Sequence, residues 1–210
     1  MKVGFIGLGN MGSAILAAVS QVADVELLLS DHNEAAVTRL QSLYGGLVLE
    51  NTQIAREADV VFLGVKPHLV ETVLKEVPKT SQAIFISMAA GVSLSQLSRY
   101  IPLGQLIRMM PNTPVAIGKG MTTFATGNPD LVPLFEKLMV ASGKVKQVPE
   151  DKIDIATAIA GCGPAFVYEF IQALTTAGVQ NGLTVKDAKD LATQTVLGSA
   201  AMVSSSDLHP

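Results

Sequence analysis

Hydrophobic and polar positions follow two regimes along the chain. Up to about residue 150, apolar runs of strand length alternate with segments of helical period; beyond it only the helical period remains. The strand-like runs are Val3, Phe5 and Ile6, then residues 25–29, 47–49, 59–65, 83–87 and 105–110. The stretch D-V-V-F-L-G-V at 59–65 is continuously apolar and rich in β-branched residues, as in a parallel strand buried on both faces. Helical spacing fills the gaps: residues 10–22, residues 34–43 with Val37, Leu40 and Leu43 on one face, and a short helix that Asn51 opens as N-cap. Pro67 begins another helix, running through Lys75, and Ser93 with Gln96 forms a capping box. Residues 120–125 and 145–148 read as two more strands, flanking a helix that starts at Asn128-Pro129.

Alternation this regular predicts an α/β fold, a Rossmann-type doubly wound parallel sheet over residues 1–150. Its ligands lie beyond the carboxyl ends of the strands. That rule gathers five corners on one rim: the glycine loop, Ser30-Asp31, residues 64–67, residues 88–91 and Pro111-Asn112-Thr113-Pro114. The first corner is G-x-G-x-x-G, with Gly7, Gly9 and Gly12 between a strand and a helix. A bare turn lets a pyrophosphate approach the backbone, and the helix N-terminus offers free N–H groups. The bland alternative is a tight turn that binds nothing. Asp31 falls about 20 residues past the last motif glycine, where a carboxylate grips the ribose hydroxyls and repels a 2′-phosphate, which favours NADH. The alternative for Asp31 is a turn or cap residue.

From residue 151 onward the reading is an all-helical dimerisation and substrate domain, 151–210. Val167, Phe170, Ile171, Leu174 and Ala177 form a stripe, and Phe166, Tyr168 and Ala173 make other faces apolar too. A helix apolar all round is expected to be buried against a partner subunit. The most apolar stretch, residues 155–167, is interrupted by Gly161, Gly163 and Pro164 and is too short for a bilayer, so no membrane is expected. Gly178 and Gly182 mark the helix end, and residues 187–203 form a last helix.

Composition narrows the classes. Charged residues are 16% and hydrophobic ones 49%, more apolar surface than one small globule needs to bury. A net charge of −3 with no basic block argues against nucleic acid. The one cysteine, Cys162, fits a reducing cytoplasm. No metal site is expected. His32 and His68 read as surface residues, and no general acid is identified.

The segment A-G-C-G-P-A-F-V-Y-E-F-I-Q-A-L-T-T-A-G-V-Q-N-G-L resembles the helical hallmark of the Δ1-pyrroline-5-carboxylate reductases. G-F-I-G-L-G-N-M-G, Val65-Lys66-Pro67, S-M-A-A-G and M-P-N-T-P match the same family in order and spacing. The resemblance implies reduction of a cyclic imine to L-proline, the last step of proline synthesis, with NADPH by family habit or NADH. It implies a homodimer through the helical domain; dimers in this family often assemble into decamers. It assigns Gly7, Leu8, Gly9, Asn10, Met11, Gly12, Ser30 and Asn51 to the cofactor, with Gly64, Val65, Lys66 and Pro67 and then Met88, Ala89 and Ala90. Asn112, Thr113 and Asp207 are assigned to the substrate, Asp207 near its amine. The family's Ser-Pro-Gly-Gly-Thr-Thr segment, with its Thr near the imine, is expected beyond Pro210, so the helical domain reads as truncated. Two rivals differ in class. A β-hydroxyacid dehydrogenase needs a Lys in the interdomain helix, where Val167 stands. A dinucleotide sensor would bind without turnover.

Overall fold

The computed structural model describes residues 1–206. Eight strands form one sheet: β1 (Lys2–Ile6), β2 (Glu26–Ser30), β3 (Leu47–Val48), β4 (Val60–Leu63), β5 (Ile84–Ser87), β6 (Leu106–Met110), β7 (Gly120–Thr126) and β8 (Gly143–Gln147). Their order is β3-β2-β1-β4-β5-β6-β7-β8. β1 through β6 are parallel; β7 runs antiparallel to β6, and β8 parallel to β7. The chain reverses direction across the sheet between β1 and β4, which is where a doubly wound fold opens a crevice.

Side chains alternate between two packed faces. Val3 and Phe5 of β1, with Val60 and Phe62 of β4, join the layer holding α1 (Asn10–Val19) and α2 (Glu34–Tyr44). Ile6, Val61 and Leu63 point into the opposite layer, which holds α3 (Asn51–Glu57), α4 (Val70–Glu76) and α5 (Leu94–Leu97). Phe5 stacks on Phe62 with ring centroids 5.0 Å apart. Burial of such a side chain contributes about 1.5–3 kcal/mol. Phe135 of α6 (Val132–Met139) packs against Phe124 at 4.4 Å and fastens the added strand pair. Asn128 caps the 3₁₀ turn that leads into α6, as its place before Pro129 suggests.

The compact N-terminal unit runs to Gly161, past the expected boundary at 150/151. The reason is α7 (Ile153–Ala156): Ile153 is fully buried in the sheet's second layer, and Asp154 accepts from Arg108 of β6 at 2.9 Å. α7 continues as a π-helical turn, Thr157–Gly161.

The second unit, from Cys162 onward, holds α8 (Gly163–Gln180) and α9 (Val185–Ser205). They pack along each other through Thr175, Ala188 and Ala192, with Gly178 against Ala188. Phe166, Tyr168 and Phe170 are 68%, 58% and 57% exposed, so the all-round burial expected of this helix is not made within one chain. The α-helix is interrupted where expected: the π-turn ends at Gly161, and Cys162 is a turn residue before α8 begins. Counted through these turns, Glu150–Gln180 is one helical run of 31 residues, long and apolar enough by length and composition to cross a membrane. Gly161 closes the π-turn, Gly163 opens α8, and Pro164 stands in the first turn of α8, where no residue of α8 loses a partner to its missing N–H.

Candidate functional site

The glycine loop forms where β1 ends. Gly7 has φ +95°, a left-handed conformation that a side chain would strain, and its N–H still donates to Ser30 O at 2.9 Å, extending the β1–β2 ladder. Gly12 and Gly64 both press on the Gly7 carbonyl, and a methyl on either would collide with it. Three backbones thus meet at the crevice. Gly9 is different: the space where its Cβ would stand is open. α1 begins at Asn10 with no side chain capping it and no acidic residue in its first turn. The cavity described next is lined by the loop residues Gly7, Leu8 and Gly9 but not by Asn10, Met11 or Gly12 of the first turn, which the resemblance also assigned to the cofactor.

A cavity of about 520 Å³ extends from this loop, lined by Gly7, Gly9, Ser30, Asn51, Val65 and Lys66 among others. The parallel register brings the strand ends level: Ile6 pairs with Ser30 and with Leu63, and Leu63 with Ser87. The loop after β1, Ser30-Asp31, residues 64–67 and Met88-Ala89 therefore share one rim, as the alternation implies. Ala89 is buried, Met88 half-buried and Lys66 exposed. Ser30 Oγ donates to Asn51 Oδ1 at 2.8 Å, and Asn51 Nδ2 donates to Glu76 Oε2 at 3.2 Å. Asn51 is thus a polar bridge in the cavity and not the expected N-cap. The cap of α3 is Glu50, in a capping box with Gln53, and its N–H donates to Gln53 Oε1 at 3.2 Å.

Asp31 sits at the expected corner, with only 7% of its side chain exposed. Its carboxylate is already engaged: Oδ2 accepts from the Leu8 N–H at 2.5 Å, and Oδ1 accepts from the Asn33 N–H at 2.8 Å. It braces the glycine loop and the turn into α2. These bonds fit the turn role given as its alternative; the N-cap of α2 itself is Asn33, whose side chain accepts from the Ala36 N–H at 3.1 Å. Around Asp31, Glu34 and Glu50 line an adjoining cavity of about 450 Å³, and Glu76 lines the first. Lys66 is the one Lys or Arg among the lining residues of the two cavities. His32 is solvent-facing and His68 exposed, as expected.

Thr113 is exposed, but Asn112 is 8% exposed and has both ends of its amide used. Nδ2 donates to Ala160 O at 2.8 Å and Oδ1 accepts from the Met121 N–H at 2.9 Å. A free amide for the substrate, as assigned above, is not what the structure places there. Asp207 lies outside the described residues, as does His209. A groove of about 740 Å³ lined by Leu94, Ser98, Leu103, Thr126, Gln147 and Glu150 gathers no comparable set of polar groups. Its one carboxylate, Glu150, is committed to the Leu94 N–H at 2.6 Å and to Arg108.

Known proteins share this arrangement. Residues 150–210 match the family model described as pyrroline-5-carboxylate reductase dimerisation, and residues 2–91 match that of NADP oxidoreductase, coenzyme F420-dependent. The exposed apolar residues of α8 lie within the first, a dimerisation model, which supports homo-oligomerisation. Human pyrroline-5-carboxylate reductase 2 is 36% identical over all of this chain and 70% of its own length. The reductase structure from Streptococcus pyogenes superposes with a TM-score of 0.89 at 35% identity, over all of this chain and 82% of that one. The Plasmodium falciparum enzyme, solved with NADP bound, gives 0.85 at 32% identity, over 99% of this chain and 80% of that one. A glycine loop between strand and helix, a level rim of strand ends and relatives matched along the whole chain lead to one assignment: the chain belongs to the pyrroline-5-carboxylate reductase family.

Proposed function

We propose that this protein reduces 1-pyrroline-5-carboxylate to L-proline with a reduced nicotinamide dinucleotide, and that it prefers NADH to NADPH. The observation that carries the reaction is the glycine loop set level with three further strand-end corners on one rim. The chemistry supplied by the dinucleotide when bound is a hydride, delivered to the imine carbon. The protein's work is to bind, orient and exclude water. Gly9 and the first turn of α1 hold the diphosphate, and Ser30 and Asn51 offer polar atoms to the ribose. Lys66, an exposed cation on the rim, attracts a substrate that carries a carboxylate. Met88 and Ala89 close the end of β5 with apolar surface. Hydride addition to a protonated C=N bond gives the secondary amine directly, so no acid side chain is needed at that carbon.

The cofactor preference rests on charge. Asp31, Glu34, Glu50 and Glu76 surround the adenosine end, and no Lys or Arg lines it apart from Lys66. A 2′-phosphate brings about two negative charges into that field. The test is loss of the reduced-nicotinamide absorbance by the natural full-length protein with pyrroline-5-carboxylate, run with each cofactor. Turnover with a higher kcat/KM for NADH is expected. Folded protein with no turnover on either cofactor would overturn the reaction, and a higher kcat/KM for NADPH would overturn the preference alone. We also propose that α8 and α9 form the contact between two copies of the chain.

A further inference from the structure

The π-helical turn Thr157–Gly161 ends three residues before a proline, Pro164, and this creates an unmet bond. In a continuous α-helix each carbonyl accepts from the amide four residues on. For Ala160 that residue is Pro164, which has no N–H. The next amide, Ala165 N–H, donates to Cys162 O at 3.0 Å instead. The Ala160 carbonyl takes its hydrogen bond from a residue 48 positions away, the side chain of Asn112, at 2.8 Å. Asn112 is itself 8% exposed, and its oxygen holds the Met121 N–H at the start of β7. One amide thus joins three elements: the loop at the carboxyl end of β6, the first residues of β7, and the π-turn.

We infer that Asn112 is a positioning residue, which supplies the hydrogen bond that Pro164 removes and so fixes the π-turn to the nicotinamide rim. Asn is suited to this because it both donates and accepts; Asp keeps the shape but, when ionised, cannot donate. The loop it stands on, Pro111 to Pro114, follows the end of β6 on the rim where the proposed hydride transfer occurs. The catalytic part of the inference rests on that reading; the structural part does not.

The experiment is a double-mutant cycle in the natural full-length protein: Asn112→Ala, Pro164→Ala and the pair, with Asn112→Asp as the isosteric control. Asn112→Ala strands a buried carbonyl and is expected to lower the thermal midpoint by about 5 °C. It should also lower kcat about tenfold while the dissociation constant for NADH stays within about twofold. Pro164→Ala restores a local N–H, so in its background Asn112→Ala should cost less than half as much in both midpoint and kcat. Asn112→Asp should behave like Asn112→Ala. Additive costs, with no rescue by Pro164→Ala, would overturn the inference, as would a loss confined to KM for the imine, which marks direct substrate contact. If Asn112→Ala does not fold, recovery of folded protein in the pair supports the inference, and failure of the pair to fold overturns it. Absence of turnover in the unaltered protein would instead count against the proposed reaction, while the midpoint cycle still reads out the brace.

Discussion

Asp31 carries a charge and an anchor in one carboxylate, and substitution separates them. Asparagine at this position keeps an oxygen within reach of the Leu8 amide but removes the charge. Asp31→Asn is therefore expected to raise NADPH use relative to NADH about tenfold, the size of one unit charge acting through a few ångströms of partly hydrated protein. Serine is too short to reach that amide. Asp31→Ser should lower kcat/KM for both cofactors about tenfold, because the glycine loop loses its brace. Steady-state kinetics with the two cofactors separates the outcomes, and an unchanged ratio in Asp31→Asn would refute the charge argument. The position of Asp31 was legible because it follows from strand length and the glycine spacing. Its bond to Leu8 was not, since it joins residues 23 apart that meet only once β1 and β2 pair. The same holds for Asn112. The missing donor at Pro164 can be read from the sequence, but the residue that replaces it cannot.

At the scale of elements, the strands were readable from apolar runs, and most boundaries shifted by only one or two residues. The cap of α3 was not, although its signal was present: Glu50 and Gln53 have the spacing of a capping box, beside the more familiar capping residue Asn51. Arg108 is a second case. Nothing local marks it as buried, yet it is 5% exposed in the middle of β6. Its guanidinium meets Glu150 at 3.4 Å and Asp154 at 2.9 Å and so ties the sheet to α7. Glu150 also accepts from the first amide of α5. The two ends of this network differ in burial, so they should differ in cost. Arg108→Met leaves behind carboxylates that water can reach, and should cost at most about 1–2 kcal/mol. Glu150→Ala leaves a buried cation with one partner and an uncapped amide, and should cost about 3 kcal/mol or more. Urea unfolding midpoints compare them, and equal losses would contradict this account.

For the whole molecule, the apolar excess noted in the composition is found mainly on α8 and α9. Their exposed Phe, Tyr, Leu and Val side chains form the kind of surface that subunits cover. That the helix is apolar on several faces was legible; that the single chain buries only its Thr175 was not, because periodicity counts apolar positions without saying which molecule covers them. Replacing Phe166 and Phe170 together by Glu should convert the oligomer to monomer in size-exclusion chromatography. The unaltered protein should show a melting midpoint that rises with protein concentration, a dependence the variant lacks. A variant that elutes unchanged would place the subunit contact elsewhere.

The position of β1 in the sheet also shapes synthesis. β1 precedes the other seven strands in the chain yet is an inner one, and its second neighbour, β4, begins only at Val60. Until that stretch emerges, the Gly7 corner has no Gly64 to lean on, and one backbone edge of a mostly apolar strand stays unpaired. The nascent chain must therefore keep its glycine corner unformed, and that open strand edge shielded by other means, until β4 has been made.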